Sequence, residues 1–282
     1  MIEESVLPEK MKIQKATRVI AVTSGKGGVG KTNIVGAFSL YFARQGKKVM
    51  ILDADLGLSN IDVLFGISPK YNIENVLAGE RRLSEVVVNG PQNVRILPAS
   101  SGSQWLTHLN EEQKIKLLGE LDDFDEDIDI LLVDTGAGIA SNVLFFCEAS
   151  QEIIVVVTPE PTSITDAYAL VKVMSQNYGE RKFRVLVNMA SGSSDALETF
   201  RRLSLVADRF LNVSLDYLGY FSNDPLVPKA VRSQNSFLER YPGAQVSKDV
   251  MAVGRALQNE SVPEVKGGMQ FFFRRIFGGI SA

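Results

Sequence analysis

The eight residues Gly25-Lys26-Gly27-Gly28-Val29-Gly30-Lys31-Thr32 constrain this chain more than any other stretch. They follow Arg18–Thr23, a β-branched run of strand length. They precede Asn33–Arg44, where apolar residues recur at helical spacing. A glycine-rich turn between a strand and a helix has the form of a phosphate-binding loop. Its glycines let successive backbone N–H groups face one anion, and the new helix directs its positive end at the same place. Lys31 then reaches the β/γ-phosphates, and the Thr32 hydroxyl can ligate Mg²⁺. Residues Gly25 to Asn33 are therefore the expected nucleotide-binding set. Lys26 is the unusual member. A second lysine so close to the phosphates repels Lys31 unless a polyanion lies between them.

Further short apolar runs continue the pattern of strands that end in polar turns. Lys48–Asp53, Val94–Pro98, Ile128–Asp134, Glu152–Thr158, Phe183–Asn188 and Leu215–Phe221 are predicted strands. Between them, 60–65, 73–77, 111–121, 167–174 and 196–210 are predicted helices, with Ser163-Ile-Thr-Asp166 as a capping box for the fourth. Strands alternating with helices at this spacing give an α/β fold, a doubly wound and mostly parallel sheet. No repeat or low-complexity tract divides it. The expected organisation is a loose arm (1–16), one P-loop domain (17–262), and a hinge with a C-terminal helix (263–282).

Composition narrows the function classes. The 282 residues are 45% hydrophobic and 22% charged, enough for an ordinary globular core, and the net charge of −3 argues against a chain that coats nucleic acid. One cysteine, Cys147, excludes an internal disulfide framework and a Cys-x-x-Cys metal site, and one histidine, His108, excludes a histidine-rich metal site. No apolar run reaches the roughly 20 residues needed to span a bilayer, and the first residues do not read as a signal peptide. The expected location is cytoplasmic.

Hydrolysis needs an acidic partner for the metal and a group that places water. Asp134 closes an apolar strand, where it can hold Mg²⁺. Asp53 and Asp55 both stand at the tip of the second strand, and alternation points them the same way, toward the edge where open α/β sheets bind ligands.

Lys-Gly-Gly-Val-Gly-Lys-Thr resembles the deviant phosphate loop of the MinD/ParA ATPases. The resemblance covers roughly Val19 to Ala256. It implies that Lys26 crosses a dimer interface to touch nucleotide held by the other subunit, that Asp55 positions the attacking water, and that Asp53 supports the metal region. It also implies that Asn188 reads adenine, with Asp224 or Pro225 on the neighbouring loop. Asp53–Gly66, Pro159–Leu170 and Asp208-Arg-Phe-Leu211 are similar to the FlhG/FleN flagellar number regulators. That branch implies an ATP-dependent homodimer using ATP and Mg²⁺. Its implied partners are an FlhF-type GTPase, flagellar switch components or a flagellar master transcription activator. Members that stimulate the GTPase carry an N-terminal Asp-Gln-Ala signature, which Met1–Ala16 lacks. This shifts weight to the transcription-regulator branch. A MinD division-site ATPase and a ParA partition ATPase are the alternatives. An iron–sulfur carrier on this fold needs paired cysteines, which the chain does not have.

The tail, Gly267–Gly279, carries a second pattern. At 100° per residue Met269, Phe272, Phe273, Ile276, Phe277 and Ile280 share one face, flanked by Arg274 and Arg275, and Phe271 falls on the polar side. Aromatics opposed by arginines describe a helix lying on an anionic membrane, which places the protein peripherally on the inner face of the cell membrane. The bland alternative is a helix docked on the core.

Overall fold

Alternation along the apolar strands divides the core into two layers, one on each face of a single sheet. The computed structural model describes residues 17–56, 59–100, 102–103, 106, 108–259 and 271. The strands are β1 (Arg18–Ser24), β2 (Val49–Ala54), β3 (Val88–Asn89), β4 (Arg95–Leu97), β5 (Ile130–Ala137), β6 (Glu152–Val157), β7 (Lys182–Ala190) and β8 (Ser214–Ser222). They lie in the order β3-β4-β2-β5-β1-β6-β7-β8. Every pairing is parallel except β3 with β4. Parallel strands covered on both faces need apolar residues in both directions, which is why these segments read as continuous hydrophobic runs. In β1, Val19 and Ala21 enter one layer while Ile20 and Val22 enter the other.

The first layer is closed by α3 (Ile73–Leu77), α4 (Leu83–Val86), α5 (Glu111–Asp122), α6 (Ser141–Glu148), α7 (Pro161–Asn177) and α8 (Ser193–Phe210). The second is closed by α1 (Lys31–Arg44), α2 (Ile61–Phe65), α9 (Leu226–Arg232), α10 (Phe237–Arg240) and α11 (Gln245–Asn259). The mostly parallel, doubly wound sheet predicted from the sequence is the observed one.

Helix α7 starts at Pro161, earlier than the predicted Ala167. Proline suits the first helical position, where its missing N–H costs nothing. Ser163 therefore lies inside the first turn, and its Oγ accepts the Thr158 N–H at 3.0 Å, so the predicted capping box does not form. Helix α6 was not predicted: buried from Asn142 to Cys147, it shows no one-sided periodicity.

At the opposite end of the sheet from the phosphate loop, the Arg18 and Arg184 guanidinium groups both contact the buried Glu152 carboxylate. Arg18 Nη2 lies 2.9 Å from Oε2, and Arg184 Nη2 lies 3.2 Å from the same oxygen. Arg18 Nη1 also donates to the Leu257 carbonyl at 2.6 Å, near the end of α11. One ionic cluster thus ties the starts of β1 and β6 to β7 and to the last turn of the final helix.

The tail contributes to the core. Phe271 is fully buried. Its N–H donates to the Ala149 carbonyl at 3.1 Å. Its ring stacks on Phe146, with centroids 6.1 Å apart, and meets Phe145 edge-on at 6.2 Å. The helical wheel put Phe271 on the polar side, because a wheel weighs faces against solvent and takes no account of an apolar neighbour on the same chain. Met269, Phe272, Phe273, Ile276, Phe277 and Ile280 lie outside the described residues. Phe271→Ala should lower unfolding stability by about 3 kcal/mol in urea denaturation. An unchanged midpoint would show that the seat against α6 is not held in solution.

Candidate nucleotide site

The phosphate loop joins β1 to α1 and is wedged between two neighbours. At Gly25, a Cβ would stand 2.1 Å from the carbonyl carbon of Asp166 in α7. At Gly30, a Cβ would meet Asn188 Nδ2 at 2.5 Å, and the backbone takes φ 94°, open to glycine alone at little cost. Asn188 Nδ2 donates to the Val29 carbonyl at 2.7 Å, tying the end of β7 to the loop. Gly27, Gly28, Gly30, Lys31, Thr32 and Asn33 line one end of a cavity of about 710 Å³. Asp55, Asn188, Asn223 and Asp224 line it further along. Pro225 and Val29 are not among the lining residues. Val29 is buried in the core, and Pro225 precedes α9, where the Asp224 carboxylate accepts the Leu226 N–H at 2.9 Å.

Lys31 lies inside. Its Nζ donates to Ser24 Oγ at 3.0 Å. Burial pulls its pKa below the ordinary lysine range, against the pull of Asp134 and Asp55. Lys26 points the other way, to Glu160 and to Thr162 Oγ1, the latter at 2.9 Å. Its side chain is 35% exposed.

The three carboxylates fall into distinct environments. One Asp53 oxygen accepts the Asn60 and Ile61 N–H groups at 3.1 and 3.2 Å and the Ser59 hydroxyl at 3.2 Å. The other accepts the Asp55 N–H at 3.3 Å, so Asp53 fixes the turn that leads into α2. Asp55 is half-buried and faces the cavity, with burial raising its pKa and Lys31 opposing the rise. Asp134 is 1% exposed, and neither oxygen has a hydrogen-bond partner among the described residues. Burial, and then the Asp53 charge, push its pKa well above the carboxylate range, against Thr32 and Lys31. A buried carboxylate with two unused oxygens beside a loop threonine fits a hard cation that takes oxygen ligands.

Sequence reasoning placed the loop, Asp53, Asp55, Asp134, Asn188 and Asp224 at one sheet edge, and the structure brings them together there. It missed Glu160 and Thr162, the neighbours of Lys26. Glu160 stood between two prolines and read as a turn, and only the parallel pairing of β1 with β6 puts it beside the loop. It also missed Ser24, whose hydroxyl holds Lys31.

A deviant phosphate loop on this sheet, with a strand-end carboxylate and a second lysine, defines a P-loop ATPase of the MinD/ParA class. Comparison agrees. The family described as AAA domain matches residues 17–184. Antiactivator FleN of Pseudomonas aeruginosa is 44% identical over 92% of this chain and 93% of its own length. Flagellum site-determining protein YlxH of Helicobacter pylori is 34% identical over 92% of this chain and 90% of its own. In structure, MinD of Pyrococcus horikoshii, solved with Mg-ADP, superposes with a TM-score of 0.72 at 22% identity, covering 86% of this chain and 97% of that one. The chain belongs to the MinD/ParA-type ATPases, close to FleN and FlhG, a family whose nucleotide is ATP and whose metal is Mg²⁺.

Gly25→Ala should cost about 2 kcal/mol of stability, through the clash with α7, and lower ADP affinity with it. Chemical denaturation and calorimetric titration of ADP read the two effects. A variant with wild-type stability and affinity would mean that the loop is not wedged.

Proposed function

We propose that this protein is an ATP-driven switch that sets the number and placement of flagella, dimerising with ATP and associating with the inner face of the cell membrane. Near-full-length similarity to FleN carries the reading. A MinD division-site ATPase on the same scaffold is 29% identical over 93% of the chain, well below FleN. A ParA-type partition ATPase shares the loop, but its cargo role calls for a basic DNA-binding surface, and the net charge of −3 gives that reading no support.

The roles rest on what the MinD/ParA resemblance implies, and the placement of the residues around the cavity supports them. Lys31 and the loop amides hold the phosphates. Thr32 and Asp134 are the residues that would hold Mg²⁺, which when bound neutralises charge between the β- and γ-phosphate oxygens. Asp55, at the cavity wall, positions water, and Asp53 braces its turn. Asn188 and Asp224 stand where the base would lie. Lys26 is not among the described residues that line the cavity. Its exposed pair with Glu160 contributes about 1 kcal/mol or less, so Lys26 can leave for nucleotide on a second copy at little cost.

The tail supports the membrane part. Met269, Phe272, Phe273, Ile276 and Phe277 share one face in sequence, with Arg274 and Arg275 beside it. A helix of that pattern binds an anionic lipid surface reversibly. Phe271, which falls outside that face, has a seat against α6. The flagellar partners are the FlhF-type GTPase, switch components or the master transcription activator, without specific nucleic acid.

Deletion of the gene should raise the number of flagella per cell, as loss of an antiactivator would. Purified protein should cosediment with anionic liposomes more with ATP than with ADP, and less in high salt. An unchanged flagellar count rejects the cellular role. Liposome binding that ignores the nucleotide rejects the switch.

A further inference from the structure

Strand β7 does not end evenly at the cavity. Its pairing with β8 slips between Val187 and Ala190, so Asn188 and Met189 sit in an irregularity of the ladder. Met189 takes φ 57°, the left-handed region that non-glycine residues enter at a cost. Gln92, Asn93 and Gln234 also have positive φ, but they occupy turn or 3₁₀ segments rather than a strand. Strained backbone inside a strand, at the mouth of a ligand cavity, points to a side chain held for use.

The side chain fits that account. Met189 is 41% exposed, an unusual state for methionine in a strand whose neighbours Val187 and Ala190 are buried. It lines the cavity together with Asn188, Asn223 and Asp224. Its Cε lies 3.8 Å from where a Cβ on Gly30 would stand, so the thioether reaches from the sheet edge to the last glycine of the phosphate loop. The adjoining Asn188 is turned to the Val29 carbonyl, which fixes the irregularity from its other side.

We propose that Met189 is the platform on which the base of the bound nucleotide rests, and that the left-handed turn at the end of β7 is kept to present it. This rests on nucleotide binding at the same cavity. A thioether is polarisable and packs well against an aromatic face. Such face contact tolerates any base, because it makes no hydrogen bond. Met189 therefore supplies affinity for a nucleobase, while the choice between adenine and guanine falls to the polar groups beside it.

Calorimetric titration of the full-length protein with ADP, GDP and inorganic pyrophosphate, each with Mg²⁺, tests the assignment. Met189→Asn keeps a residue that tolerates φ 57° and removes the apolar platform. Met189→Leu keeps the bulk. Met189→Asn should weaken ADP and GDP by about three- to tenfold each, the upper part of the range for sulfur–aromatic contacts, and leave pyrophosphate within about twofold. Met189→Leu should stay within about threefold of wild type for all three. An unchanged ADP affinity in Met189→Asn overturns the proposal. So does an equal loss for pyrophosphate, which would signal damage to the loop, or a changed ADP-to-GDP preference, which would make Met189 a reader of base edges. Wild-type protein that binds pyrophosphate but not ADP overturns base recognition at this cavity altogether.

Discussion

The phosphate loop is held from both ends, and the rest of the site depends on that clamp. At Gly25 its backbone lies against α7, and at Gly30 it lies against Asn188 at the end of β7. Neither contact leaves room for a side chain. The loop amides can therefore be aimed before any anion arrives, so little ordering cost falls on the binding step. The same clamp makes α7 and β7 direct neighbours of whatever the loop binds. A displacement of the loop by a few tenths of an ångström has to move one or the other, because packed backbone does not yield continuously.

Charge is arranged around that clamp to be incomplete. Among the described residues, Lys31 is buried with a serine hydroxyl as its one hydrogen-bond partner, and Asp134, beside Thr32, is buried with no partner for either oxygen within hydrogen-bonding geometry. Both are costly in isolation, and both are offset when a phosphate and a cation arrive together. Lys26 is complete by comparison, with Glu160 and Thr162 for neighbours, but it is exposed and easily released. The deep lysine lines the cavity of its own chain, and the shallow one is exposed to solvent. At the far end of the sheet, the Arg18–Glu152–Arg184 cluster holds the starts of the strands whose other ends carry the loop, the Glu160 turn and Asn188. It also holds the Leu257 carbonyl, two residues before the end of the last helix.

Much of this was legible in the sequence, because it depends on local pattern. A strand, a glycine-rich turn and a helix announce the loop, and carboxylates at strand ends announce the sheet edge. What could not be read depends on contacts between distant segments. Glu160 is 134 residues from Lys26 and meets it through the neighbouring positions of β1 and β6. Phe271 belongs by spacing to an amphipathic tail, yet its ring fills a gap beside Phe145 and Phe146 that only the folded α6 creates. Met189 looks like one more strand methionine until the slipped pairing with β8 turns it outward. Helix α6 is buried on all sides from Asn142 to Cys147 and so has no one apolar face to give it away. Helix α11 does show one, with Val246, Val250, Val253 and Leu257 at helical spacing.

The central claim is that ATP, and not ADP, draws two copies together through Lys26. Light scattering of Asp55→Ala, which should bind nucleotide without consuming it, measures this directly. With saturating ATP and Mg²⁺ the mass should be twice that of one chain, with ADP it should be that of one chain, and adding Lys26→Ala should restore the single-chain mass under ATP. A single-chain mass under saturating ATP, or a dimer that persists without Lys26, would contradict the account.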